Sequence, residues 1–229
     1  MKIGLIGDLP AGPVLAKAWA GAGHEVIGVF VESPEAIERI EMLLPDSPIA
    51  PMAAVAESAE LVLLAVPFSD IELTCQGLTD LGLFGPRKIL VHLSPHHGYE
   101  VLADAARLGT IPVALAPLMH FTGTSMDLHV LQNATAVVTT PDVYLPIAQA
   151  LAIELGADPV ELNEQQRQAF AEAYDVAAGF SSLVVQQAVG ILQEAGVDEA
   201  AKLIGPVVRS EIDRSLVRPA KPLDPEDAR

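Results

Sequence analysis

The chain has 229 residues, 51% of them hydrophobic, and its 13 basic and 30 acidic side chains give a formal net charge of −17. A surface this negative repels nucleic acid and anionic lipid at long range, and no Lys/Arg run interrupts it, so neither is expected as a partner. Glycine, proline or charge cuts every apolar run short of the roughly 20 residues a spanning helix needs, Lys2 alone opens no signal peptide, and the single Cys75 has no partner for a disulfide; the expected setting is cytoplasmic.

In chain order, Lys2–Ile6 predicts a strand and Gly12–Ala22 a helix with Val14, Leu15, Ala18 and Trp19 on one face. Glu25–Val31 predicts a second strand, and Ser33-Pro34 supplies the cap and first turn of the helix after it. Leu61–Val66 and Lys88–His92 predict further strands, with a helix from near Ser69 between them. Ile111–Ala116 and Thr135–Thr139 complete the strands, and a helix from Pro141 to Leu155 follows. The continuous apolar run Leu61-Val62-Leu63-Leu64-Ala65-Val66 suits a strand covered on both faces. Strands alternating with helices give an α/β fold with a doubly wound, mostly parallel sheet over residues 1–161.

The pattern changes after that boundary. Residues 162–216 predict a smaller, all-helical domain. One long helix runs from Asn163 to about Gly196 and a second from Asp198 to Leu216, with a break expected at Gly205-Pro206. Helices this apolar need the first domain, a second copy of the chain, or both, to bury them. Residues 217–229, rich in Pro, Asp and Glu, are expected to be disordered.

Between the first strand and first helix lies Gly7-Asp8-Leu9-Pro10-Ala11-Gly12, where a Rossmann-like fold places its phosphate turn. Gly7 and Gly12 have the spacing of the first and third glycines of G-x-G-x-x-G, but Leu9 stands at the middle position. A side chain there occupies pyrophosphate space, Pro10 lacks an N–H, and Asp8 adds negative charge beside an anion site. Glu32, twenty residues after Gly12, is either the acid that accepts from an adenosine ribose and disfavours NADP, or a solvated strand-end carboxylate.

Gly4-Leu5-Ile6-Gly7, Leu64-Ala65-Val66-Pro67, Val91-His92-Leu93-Ser94, Ala116-Pro117-Leu118 and the helix Tyr174–Phe180 together resemble the Rossmann-like/DUF2520 proteins. That group is related to the 6-phosphogluconate and β-hydroxyacid dehydrogenase type and to pyrroline-5-carboxylate reductase. The resemblance implies an oxidoreductase architecture using NAD or NADP, with Gly7, Leu9, Gly12, Glu32 and Pro67 at the cofactor and a helical C-terminal domain that forms a homodimer. The departures bear on catalysis: Leu9 stands for a glycine, His92-Leu93-Ser94-Pro95 for a His-Thr-Ser-Gly-like run, and Ala116 for a histidine. Asp175 and Leu183 fall near a histidine and an asparagine of the family pattern.

Four of the six histidines, His92, His96, His97 and His120, follow two strands that would share a cleft if they are neighbours. They are exposed loop residues, acid–base or binding groups, or metal ligands; their spacing matches no metal motif, so no metal is expected. Ser94 is a ligand contact or, with Pro95 next, a turn residue; Asp175 in its apolar helix faces cleft or solvent. Ser94, His120 and Asp175 are the candidate catalytic residues for hydride transfer on a small oxo, hydroxy or imino acid. A non-catalytic scaffold binding another small ligand or a protein is the alternative.

Overall fold

The computed structural model describes residues 1–217. β1 (Lys2–Ile6), β2 (Glu25–Phe30), β3 (Leu61–Leu64), β4 (Ile89–His92), β5 (Ile111–Pro117), β6 (Thr135–Thr139) and β7 (Asp158–Glu161) form one sheet in the order β2-β1-β3-β4-β5-β6-β7. Every neighbouring pair is parallel except β5 and β6, which are antiparallel. All residues of β3 and β4 are buried, His92 included, as in strands covered on both faces. The order reverses at β1, so the carboxyl ends of β1 and β3 open a crevice where such sheets take ligands.

On one face, α1 (Ala11–Gly21), α2 (Pro34–Leu43), α6 (Met126–Leu131) and α7 (Leu145–Glu154) pack over the sheet around Leu5, Leu15, Trp19 and Leu63. The Trp19 indole N–H donates to the Leu151 carbonyl at 2.9 Å, tying α1 to α7. On the other face, α3 (Met52–Ser58), α4 (Ile71–Asp80) and α5 (Ala103–Arg107) enclose a core that includes Ile6, Leu64, Cys75 and Leu102. Ser33 caps α2 as expected, its hydroxyl accepting from the Ala36 N–H.

The elements not predicted are α3, α5, α6 and β7, all short. α3 rests directly on bare backbone: a Cβ on Gly4 would lie 2.7 Å from Val55 Cγ1, and one on Gly28 3.2 Å from Val55 Cγ2. β7 is a largely exposed edge strand, so its Asp-Pro-Val-Glu sequence carries no apolar pattern to read.

A continuous helix of 31 residues runs from Glu164 to Glu194, comprising α8 (Glu164–Tyr174), a π-helical stretch (Asp175–Phe180) and α9 (Ser181–Glu194). Its start is a reciprocal cap in which the Gln166 N–H donates to the Asn163 side chain and the Asn163 N–H to that of Gln166. By length and composition it could cross a membrane. This corrects the expectation of no such segment, because scattered glutamines and one Asp interrupt an average hydropathy that stays high.

The chain divides into two compact units, Met1–Glu172 and one beginning at Ala173. The first turns of α8 go with the sheet, because the Glu164 carboxylate accepts from the Glu100 N–H and Arg167 is buried there. In the second unit, α9 turns at Gly196 (φ 81°) into α10 (Ala200–Leu216). The break expected at Gly205-Pro206 does not occur; α10 runs through Pro206, forgoing one backbone hydrogen bond. Within this unit, Val176, Phe180, Val184, Val207, Ile212 and Leu216 line an open apolar groove of about 740 Å³. The disorder expected of 217–229 falls, from 218 on, outside the described residues.

Candidate functional site

The turn after β1 keeps its glycines for packing. Gly7 has φ 113°, and a Cβ on it would sit 2.3 Å from the Ala65 carbonyl oxygen. A Cβ on Gly12 would meet Ala65 Cβ at 2.6 Å and Leu5 Cδ1 at 2.8 Å, so α1 lies directly on the sheet. Leu9 is half-buried and packs against the core around Trp19 rather than standing free in solvent. Its N–H donates to the Ala65 carbonyl at 2.9 Å, and that of Gly12 to the Leu9 carbonyl at 3.0 Å. Pro10 and Pro13 have no N–H. The donors with which a dinucleotide turn normally meets pyrophosphate are thus largely absent or already used.

Asp8 binds the chain's own backbone. Its carboxylate accepts from the N–H groups of Glu32 and Ser33 at 2.9 and 2.8 Å, and the Arg39 guanidinium donates to its carbonyl at 3.0 Å. Burial alone would raise its pKa, but these N–H donors and the Arg39 charge outweigh it and hold the carboxyl below the usual range. Glu32 follows β2 beside this clasp, with its own N–H used there. Gly123, in the loop after β5, completes the cover, since a Cβ on it would lie 3.2 Å from Pro10 Cβ and 2.6 Å from Arg39 Cδ. That loop is held by Asp127, whose buried carboxylate accepts from the Thr122 N–H, the Thr122 hydroxyl and the Gly123 N–H.

At the end of β4, His92 is fully buried, and burial drives its pKa down to about 3 despite a 2.8 Å hydrogen bond to the Gly98 carbonyl. The neutral ring donates from Nε2 to Gly98 and accepts the Ser94 N–H on Nδ1, so it ties the loop 93–98 together. His92 thus serves the loop's structure and is no proton shuttle. The Ser94 hydroxyl accepts the His96 N–H at 3.1 Å and retains its own proton to donate. Arg167 of α8 closes the loop from the far side, its Nη2 donating to the Ser94 carbonyl at 2.7 Å.

β4 and β5 are neighbours, so Ser94 and His120 leave adjacent strands at their carboxyl ends. His120 is exposed, while His96 and His97 lie against the Phe68 ring, with centroids 4.9 and 6.0 Å away. Among the described residues no group of three His, Cys, Asp or Glu side chains could hold a metal. Pro67 follows the end of β3 at the mouth of the crevice, one residue before a short 3-10 turn. Asp175 belongs to the second unit, exposed in the π-helical stretch. Cys75 is buried, and burial pushes its thiol pKa up, as a structural thiol requires. Arg167 and Asp127 carry no motif, and Asp8, inside the glycine turn, reads from the sequence as a charge beside an anion site rather than as a clasp for the Glu32 and Ser33 N–H groups.

Residues 1–117 match the model of the Rossmann-like domain, and residues 134–222 that of DUF2520, a domain of unknown function. The chain belongs to the Rossmann-like family. No curated protein matches it. Among solved structures it is similar to a Bacteroides fragilis protein assigned as an NADP oxidoreductase, with TM-score 0.76 and 16% identity over 100% of this chain and 83% of that one. An imine reductase of Streptomyces aurantiacus gives 0.69 and 17% over 93% and 73%. A semialdehyde dehydrogenase NAD-binding protein of Cupriavidus necator, solved with calcium and NAD, gives 0.67 and 16% over 99% and 88%. At these identities the likeness is one of fold.

Proposed function

We propose that the chain is an oxidoreductase of the dehydrogenase or reductase type, acting on a small oxo, hydroxy or imino acid with a nicotinamide dinucleotide. The observation that carries this reading is the crevice at the strand-order reversal, with Gly7 and Pro67 at the ends of β1 and β3 and Ser94 at the end of β4 beyond them. A dinucleotide in that crevice would have Glu32 at its adenosine end and would meet a turn depleted of donors at Leu9, Pro10 and Gly12. Weak binding is therefore part of the proposal, and the choice of NAD over NADP rests on Glu32 alone.

When bound, the nicotinamide supplies the hydride. The protein's share is to orient the acceptor and to hold a proton for it. Ser94 Oγ–H donates to the ligand oxygen or nitrogen, and the exposed His120 imidazole supplies the proton. The second unit's apolar face, with Phe180, Leu183, Val184 and Ile191 each more than 60% exposed, supports a homodimer through the helices. A cytoplasmic setting accords with the single, buried cysteine.

Calorimetric titration with NADH and NADPH, at low and moderate salt, tests the reading. Saturable one-site binding that Leu9→Glu weakens supports it. Absence of heat and of any thermal shift at millimolar cofactor overturns it, leaving a scaffold for another small ligand.

A further inference from the structure

Arg167 is the most deeply buried charge among the described residues, at 1% exposure, with its guanidinium 5.8 Å from the centroid of the Phe170 ring and the Glu164 charge close enough to favour its charged form. Of its five N–H groups, those on Nε and Nη1 have no acceptor, and only Nη2 is engaged, at the Ser94 carbonyl. The acid one turn away, Glu164, is turned to the 98–100 loop, where it accepts the Glu100 N–H and lies against Gly98. A buried guanidinium with no carboxylate partner carries a heavy desolvation cost. Holding one carbonyl does not require it, since a neutral donor would serve.

The remaining buried side-chain atom without a partner among the described residues is Thr139 Oγ1. Thr139 pairs with Ala114, which pairs with His92, so the three form a row on one face of the sheet, two residues short of Ser94. Thr139 Oγ1 thus lies two strands away from His92 on that face.

We propose that Arg167 is the receptor for the carboxylate of the small acid taken at the end of β4, which fills the vacant Nε and Nη1 donors beside the Ser94 hydroxyl. The inference rests on the functional reading above and names the group that selects the substrate class. A single guanidinium, with Glu164 and Glu100 nearby and a chain of net charge −17, suits a monoanion and disfavours a phosphate dianion. The reacting carbon next to that carboxylate would then face Ser94 Oγ, which still has its proton to give.

The test is calorimetric titration of the full chain with pyruvate and with its uncharged methyl ester, each without and with saturating NADH. Saturable pyruvate binding with none for the ester is expected. Arg167→Lys should weaken it roughly tenfold, and Arg167→Met should abolish it while leaving Tm unchanged or higher, since an uncompensated buried charge is removed. Pyruvate affinity within about twofold of wild type in Arg167→Lys and Arg167→Met overturns the proposal, as does absence of pyruvate, glyoxylate or 2-oxobutyrate binding to the wild type under both conditions. If Arg167→Met does not fold, Arg167→Lys decides. Heat from NADH in the same samples reports separately: carboxylate binding without NADH binding upholds the receptor and removes the oxidoreductase reading, and the reverse removes the receptor alone.

Discussion

Leu9 donates its backbone N–H to the carbonyl of Ala65 at 2.9 Å, bridging the ends of β1 and β3 across the crevice. Where a dinucleotide turn would present this region to a phosphate, the chain has sewn it to itself and packed the side chain inward. Replacing Leu9 by Gly and Pro10 by Ala together restores space and one N–H. The double variant is expected to bind NADH roughly tenfold more tightly and to lose about 1–2 kcal/mol of stability through lost packing and a more flexible chain. Calorimetry and urea unfolding measure the two effects.

Gly7 cannot carry a side chain. With φ 113° and the Ala65 carbonyl 2.3 Å from a built Cβ, Gly7→Ala strains the backbone and separates β1 from β3. A loss of roughly 3 kcal/mol or more is expected in chemical denaturation.

His92 makes stability fall with acid. Its folded pKa lies at about 3 against 6.5 when unfolded, so the unfolded chain takes up the proton first as pH drops. The contribution is complete above 6.5 and is lost as pH falls from there toward 3, by up to about 1.4 kcal/mol per pH unit. Urea midpoints at pH 7, 6 and 5 should show this slope, and His92→Gln should flatten it.

Asp127 holds the loop that carries His120. Asp127→Ala removes one carboxylate acceptor from two backbone N–H groups and a hydroxyl, with an expected cost of about 2–4 kcal/mol. Asp127→Asn should recover part of it in the same unfolding experiment.

The apolar face of the second unit predicts association. Phe180→Glu with Val184→Glu, both at exposed positions, should convert a dimer to a monomer in light scattering without altering the melting of the first unit. An unchanged mass would remove the homodimer from the proposal.

Much of this protein was legible in the amino-acid order. Short, mostly apolar runs such as Leu61–Leu64 and Ile89–His92, bounded by turn residues, read as strands buried on both faces, and 3.6-residue spacing placed Trp19 on the inner side of α1. Those are local periodicities, and each element carries its own. The tertiary structure alone decided the rest. Leu9 turned inward because a neighbouring strand offered a carbonyl and a core, and His92 became a buried neutral brace because Gly98 came within 2.8 Å. Arg167 lay next to Ser94 across 73 residues of sequence. Such facts depend on which segments the sheet brings together, so a side chain's charge state, exposure and partner follow from long-range packing rather than from its neighbours in the chain.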